Sequence, residues 1–374
     1  MTSRVAASPE HLPHRPDDDR IDLKSLLPDE LRTFTMKLGK ERYRGNQLLR
    51  WVHGRGVYDF GEMTDLAKGL REELPEVARV EHLEEVARAV SGDEQTTKLL
   101  FRLRDGRHIE TVLMREGKRR TVCLSTQVGC ALGCDLCATG QLGLIRNLTV
   151  GEIIDQLIQT REVLRERLLA EGKPDEAECP ITNVVLMGMG EPLHNYEAVV
   201  KAVKLMGLDM GLAISATRVT ISTAGLVPMI ERLAKDLPKV GLAISLNATT
   251  DAVRDELMPI NCRYPIRELM GAAAHVAKNS RKHRVTFEYV LIAGVNDSDE
   301  DARRLASLVS SFPCRVNLIP FNPIPDSSYE RPARERVDRF HRILWDKDLT
   351  VTVRWSKGDD IAAACGQLQA IAPT

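Results

Sequence analysis

The 374-residue sequence contains no apolar run near the roughly 18 residues that a membrane-crossing helix requires, which excludes a helical span. Its opening, MTSRVAASPEHLPHRPDDDR, carries prolines and charges and lacks the apolar core of a secretory signal, so residues 1–20 read as a disordered tail on a cytoplasmic protein. No low-complexity tract or internal repeat is present. Net charge is nearly absent too, at −1, and by itself points to no class of partner. What remains is ordinary soluble composition, 43% hydrophobic and 28% charged, in a chain long enough for one large domain with a smaller appendage.

The charges that do occur are unevenly placed. Arg32 to Arg55 holds seven basic residues against one acid, interleaved with Tyr43 and Trp51, and Lys98 to Arg120 holds eight against three. Such segments can neutralise phosphates while aromatics stack on bases, so RNA is an expected partner; a solvated charged face is the plainer alternative for either one.

Helical spacing runs from Asp29 to Leu74 in three stretches closed by Gly39, Gly54 and Pro75. From Thr96 the pattern turns strand-like: TTKLLFRLR and HIETVLM are separated by Asp105-Gly106, a tight-turn dipeptide. After Arg120, six strand candidates (TVCLSTQ, ITNVVLMG, RVTIS, VGLAISL, VTFEYVLI and RVNLIP) alternate with amphipathic helices, and LTVTVRW offers a possible further strand. The first helix begins at a Thr149–Glu152 capping box and carries Ile153, Ile154, Leu157 and Ile158 on one face. This predicts an α/β protein. Its units are a tail (1–20), a helical accessory domain for RNA (21–90), a linking β-hairpin (91–120), an open, partial (β/α)6 barrel (121–355) and a C-terminal segment carrying Cys365 (356–374). Chemistry is then expected at the C-terminal ends of the strands.

Eight cysteines are present, and four of them, Cys123, Cys130, Cys134 and Cys137, fall within fifteen residues. Clustering in an intracellular chain favours metal or redox chemistry over disulfide staples. A structural zinc site wants four protein ligands, often as two separated pairs, and no second pair follows the single CxxxCxxC set. Three cysteines holding a four-iron cubane leave one iron free for a substrate or cofactor, so the missing fourth cysteine is informative. Cys130, Cys134 and Cys137 are the expected ligands.

Beyond the cysteines, VCLSTQVGCALGCDLCATGQLGLIRNLT, VVLMGMGEPLHNY, VTISTAGLVP, GLAISLNATTD, VLIAGVNDS, VNLIPFNPIP and SKGDDIAAACGQL resemble the RlmN/Cfr family of radical S-adenosylmethionine RNA adenine methyltransferases, over nearly the whole chain from residue 29. The resemblance implies one [4Fe-4S] cluster per chain and two molecules of S-adenosylmethionine consumed per methylation. It implies methylation of adenine carbon 2 in 23S rRNA, in transfer RNA 3′ to the anticodon, or in both. Cys365 takes a methyl group on sulfur and carries it to the base, Glu110 removes the carbon 2 proton, and Cys123 attacks the sulfur of Cys365 to release product. An external one-electron reductant and a disulfide reductant are implied partners, and a monomer is expected. Gly190 and Glu191 in GMGEP, with Ser222, Ser245, Leu246, Asn247 and Asn322, fall at positions contacting S-adenosylmethionine. Two places depart from the family pattern: Leu136 stands where an aromatic commonly precedes the last cysteine, and Asn247 where many members have histidine. Cys179, Cys262 and Cys314 match no family role. The rival readings are a Cfr-like enzyme acting on carbon 8, methylthiolation, for which the second cysteine triad is missing, and a non-catalytic metal RNA-binding module, which would need neither Cys123 nor Cys365.

Overall fold

Apolar residues at helical spacing fold the N-terminal unit as α1 (Pro28–Lys37), α2 (Tyr43–Leu49) and α3 (Lys68–Val77) in the computed structural model, which describes residues 18–279 and 285–370. The expected tail lies outside the described residues up to residue 17; Asp18 already packs, with its carboxylate accepting from Arg20 and Arg104. Leu31, Leu48, Leu49, Met63 and Leu70 give this unit its own core. Pro75 does not close α3. It lies exposed inside the helix, which begins at Lys68 and runs on to Val77. A short parallel pair, β1 (Ile21–Asp22) with β2 (Ala78–Arg79), ties the two ends of the unit together.

The sheet starts earlier than the sequence suggested. β3 (Glu84–Val90) occupies the end of the stretch expected to be helical and pairs antiparallel with β4 (Thr96–Arg102). Its residues EEVARAV have helical propensity and no strand alternation, yet this half-exposed edge is decided by the ladder β4 offers. β4 and β5 (His108–Glu116) form the Asp105-Gly106 hairpin, in which Gly106 takes φ +78°. β5 then pairs with β6 (Arg119–Cys123), so three antiparallel strands extend the barrel sheet rather than a separate hairpin linking to it.

From β6 onward the ladder is parallel. β7 (Gln127–Gly129) and β8 (Leu144–Asn147) form a small ribbon around α4 (Ala138–Gln141). The helices α5 (Val150–Ala170), α6 (Pro174–Glu178), α7 (Tyr196–Met206), α8 (Val227–Asp236), α9 (Asp251–Leu257), α10 (Ile266–Asn279), α11 (Asp299–Val309) and α12 (Arg334–Trp345) alternate with β9 (Asn183–Leu186), β10 (Val219–Thr223), β11 (Gly241–Ser245), β12 (Val285–Leu291), β13 (Cys314–Pro320) and β14 (Thr350–Val353). The strand order is β14-β13-β12-β11-β10-β9-β6-β5-β4-β3, with β14 and β3 at the edges: an open barrel of the expected kind, with β14 as the further strand. The Thr149 cap forms as read, its hydroxyl accepting from Glu152 N (3.2 Å) and Glu152 Oε2 from Thr149 N (2.8 Å). Ile153, Ile154, Leu157 and Ile158 are all buried beneath it.

A buried ion pair between Lys24 and Asp155 on α5 joins the N-terminal unit to the barrel, and Asp155 also accepts from Leu83 N (2.6 Å) and Gln159 Nε2 (2.7 Å). Among the described residues no helix is long and apolar enough to cross a membrane.

Candidate active site

A cavity of about 1010 Å³, counted to its open mouth, lies at the C-terminal ends of the parallel strands. Cys130, Cys134 and Cys137 line one wall of it. Burial raises all three thiols, Cys130 to about 11, which disfavours bare thiolates and marks positions where metal ligation would supply the compensating charge. Among the described residues no group of three His, Cys, Asp or Glu side chains closes on the point a single ion would occupy. Three thiols sharing a wider cavity wall suit a cluster in which each cysteine holds a different iron.

In the same lining, Gly190 takes φ +96°, and a Cβ there would lie 2.5 Å from the Gln127 Cβ, so only glycine brings the backbone this close. Glu191 follows, buried, with Oε1 accepting from Leu193 N (3.0 Å) and Oε2 from Ala224 N (2.8 Å); burial pushes its carboxyl up to about 7. An ammonium group docked beside it would restore the charge. Ser222, Ser245, Asn247 and Asn322 also line the cavity, whereas Leu246 does not: it is fully buried behind the strand ends. Asn247 sits at φ +56°, a region asparagine enters more readily than most residues. Its Oδ1 accepts from Val290 N (2.9 Å), so this amide braces β12. Asn322 is engaged as well, its Nδ2 donating to the Cys365 carbonyl (3.1 Å). Together these residues fit a cluster with S-adenosylmethionine bound against it.

Cys365 lines the same cavity, 228 residues after Cys137. Its segment is largely irregular: only a turn, Asp359–Ile361, is helical, and Gly366 takes φ +86° within a loop. Tertiary bonds win over alanine propensity here. Ala138 N donates to Gly366 O (2.8 Å) and Thr139 Oγ1 to Leu368 O (2.6 Å), so the residues just after Cys137 hold the Cys365 loop. Solvent reaches Cys365 through the cavity, while the protein around it raises its thiol. Cys123, buried at the end of β6, lies close enough that a charge on Cys365 raises its thiol, second to burial.

Glu110 stands apart from the cavity lining. It is buried, pairs with Lys98 Nζ (2.9 Å) and accepts from Gln369 N (2.8 Å) and Ala370 N (3.1 Å), on the far side of the Cys365 segment. The basic stretches are also less free than their sequence implied. Arg102, Arg104, Arg115 and Arg120 are taken up by Glu84, Asp18, Glu171 and Glu176. In the N-terminal unit Trp51 is core, its N–H donating to Asp65 and its face covered by Arg55, whereas Tyr43 is 51% exposed. Sequence reasoning missed Arg254 and Glu288. The second lines the cavity and was signalled by a lone acid in the apolar strand VTFEYVLI.

Residues 21–80 match the model of the ribosomal RNA large subunit methyltransferase N-terminal domain, and residues 124–306 that of the radical SAM superfamily. The first match stops where the sheet begins, at β3. A protein of Geobacter sulfurreducens named dual-specificity RNA methyltransferase RlmN is 47% identical over 352 residues, covering 94% of this chain and 93% of its own. Its namesake from Syntrophotalea carbinolica is 49% identical over 353 residues, covering 94% and 90%. The solved structure of a radical SAM methyltransferase from Sphaerobacter thermophilus superposes with a TM-score of 0.87 at 45% identity, over 94% of this chain and all of that one. With likeness over 94% of its length and both domain models matched, the chain belongs to the RlmN family of radical SAM RNA methyltransferases.

Proposed function

We propose that this enzyme methylates carbon 2 of adenine in RNA, in 23S rRNA and in the transfer RNA adenosine 3′ to the anticodon, through an S-methyl group carried on Cys365. The observation that carries the reading is the placement of Cys365 in the same cavity as the three clustered cysteines, with Cys123 beside it. Carbon 2 lies between two ring nitrogens and is electron-poor, so it does not attack a methyl sulfonium directly. When bound, the cluster and S-adenosylmethionine would supply the one-electron chemistry that removes hydrogen from the S-methyl group and would take back the one electron that the base adduct must give up.

The chain's own residues do the rest. Cys130, Cys134 and Cys137 would hold the cluster, one cluster per chain, and Glu191 the ammonium end of S-adenosylmethionine. The Cys365 sulfur accepts a methyl from a first S-adenosylmethionine as a nucleophile and, with a second consumed, joins its carbon to adenine. Glu110 takes the carbon 2 proton. Its oxygens are held by Lys98 and the Gln369 and Ala370 amides, so the segment must shift to present it. Cys123 then attacks the Cys365 sulfur, forming a disulfide as the carbon–sulfur bond breaks toward carbon, which takes up a proton to become the methyl group of the released RNA, and a dithiol reductant resets the pair.

Cys123→Ala tests this. It should load the methyl group and join RNA to Cys365 but not release it, giving a band resistant to denaturant and removed by nuclease. Cys365→Ala should give no such band. Free 2-methyladenosine RNA at parental rates from Cys123→Ala would refute the assignment.

A further inference from the structure

Across three neighbouring parallel strands, Ser245, Glu288 and Asn317 stand in register, forming a polar row in a barrel whose strands are otherwise largely apolar. Ser245 and Glu288 both line the cavity. Glu288 is 6% exposed; its Oε1 accepts from Asn317 Nδ2 (2.9 Å), while Oε2 is buried without a hydrogen-bond partner. Leaving a buried acceptor unmet is costly, and such groups in native proteins call for an explanation. Arg354 draws the carboxyl down through space but makes no ion pair with it among the described residues, and burial outweighs that pull.

The surroundings of Glu288 narrow what its carboxylate can meet. Glu288 lies close enough to Cys365 to raise its thiol. It sits two residues before Val290, which lines the same cavity and is held by Asn247. An ionised carboxylate offers acceptors only, so it welcomes an amine and repels a ring carbonyl. In adenine the exocyclic amine is two ring atoms from carbon 2. A base whose carbon 2 faces Cys365 therefore presents that amine to a nearby wall. We propose that the free Glu288 oxygen accepts a hydrogen bond from the amine of the target adenine, making Glu288, positioned by Asn317, the residue that selects an amino-bearing base. This rests on the reading that carbon 2 of adenine is the site of methylation. S-adenosylmethionine also carries an adenine amine, and the experiment separates the two.

The probes are two short hairpin RNAs differing only at the target nucleotide, adenosine or purine riboside, which lacks the amine. Their equilibrium binding to the reconstituted parent, Glu288→Ala and Glu288→Gln is measured, together with S-adenosylmethionine binding without RNA. Removing the amine should weaken parental binding about tenfold to hundredfold, the range for hydrogen bonds to charged groups. Glu288→Ala should bind the adenosine RNA about as weakly as the purine RNA and discriminate less than twofold, with Glu288→Gln intermediate. S-adenosylmethionine binding should stay unchanged. Equal parental affinity for the two RNAs overturns the proposal without reference to any variant. Discrimination kept in Glu288→Gln and Glu288→Ala overturns it, as does loss of S-adenosylmethionine binding, which would assign the carboxylate to the cofactor. If the parent discriminates as stated yet makes no 2-methyladenosine, the carbon 2 reading fails while base selection by Glu288 stands.

Discussion

Arg254 is fully buried and spends its guanidinium on the backbone that frames the cavity. It donates to the carbonyls of Ala224 (2.6 Å), Leu246 (3.0 Å) and Ser245 (3.1 Å) and to Asn261 Oδ1 (2.9 Å). Burial lowers its pKa to about 10, so it remains charged at neutral pH. Those carbonyls belong to the turns that end β10 and β11, the strands presenting Ser222 and Ser245. Arg254→Met fills similar space and removes every donor, leaving three carbonyls unmet at about 1–3 kcal/mol each. Water entering the loosened turns would recover part of this, so we expect about 3–5 kcal/mol off the unfolding free energy, a third or more of a typical domain's stability. Arg254→Lys keeps the charge but can reach only one or two of the four acceptors, and should lose about half as much. Urea unfolding of the cluster-loaded protein measures the first effect. Calorimetric titration with S-adenosylmethionine measures the second, an affinity loss of about tenfold, or ~1.4 kcal/mol, as the turns relax. If Arg254→Met unfolds within about 0.5 kcal/mol of the parent and binds S-adenosylmethionine as well, the turns are not held by this guanidinium.

Anaerobically reconstituted protein should carry about four irons per chain, the content of one cubane cluster, and alanine at Cys130, Cys134 or Cys137 should bleach its absorption; stoichiometric zinc in place of iron would sink the proposal. Neutralising Lys37, Arg42 and Arg50 should weaken RNA binding and flatten its dependence on the logarithm of salt by about 0.7–0.9 for each phosphate no longer neutralised, leaving uncoupled S-adenosylmethionine cleavage intact; an unchanged slope makes these residues a solvated face. Glu81, buried beside Arg79 on the face toward α5, has its carboxyl raised from 4.5 to about 7, chiefly by burial. A carboxyl raised on folding contributes stability below its unfolded pKa and loses it as pH rises through its folded pKa. Glu81→Gln should therefore match the parent near pH 4.5 and exceed it by about 3 kcal/mol at pH 8, since each pKa unit is worth about 1.4 kcal/mol. Denaturation midpoints that differ equally at both pH values would contradict this.

The parts legible in the sequence are those whose chemistry is written within a few residues. CxxxCxxC, GMGEP, the Thr149 capping box and the Asp105-Gly106 turn each carry their pattern within a short span, and each folds where it was read: the first two at the cavity, the others as a cap and a hairpin turn. β3 was not legible because its edge position, not its own propensity, makes it a strand. The loop around Cys365 was not legible for the opposite reason: alanines favour helix locally, but bonds to Ala138, Thr139, Asn322 and Glu110 fix a loop. Trp51 looked like a stacking platform and is core, since nothing in its own neighbourhood reveals Asp65 or Arg55 as its cover.

The same distinction separates the residues that act from those that place them. Cys365 reaches the cavity only because its loop is bonded on one side to the residues following the last cluster cysteine, and on the other to Glu110, 255 positions earlier in the chain. The three-cysteine loop, the proposed methyl-carrying thiol and the expected base are therefore mechanically joined through a segment that has no regular structure of its own. A loop held by a few hydrogen bonds opens at far lower cost than a strand or helix of the sheet. That suits the three successive tasks proposed for this thiol: to accept a methyl group, to carry it to a base, and to turn toward Cys123. A rigid helix, which the alanines alone would have favoured, could present Cys365 to only one of those partners.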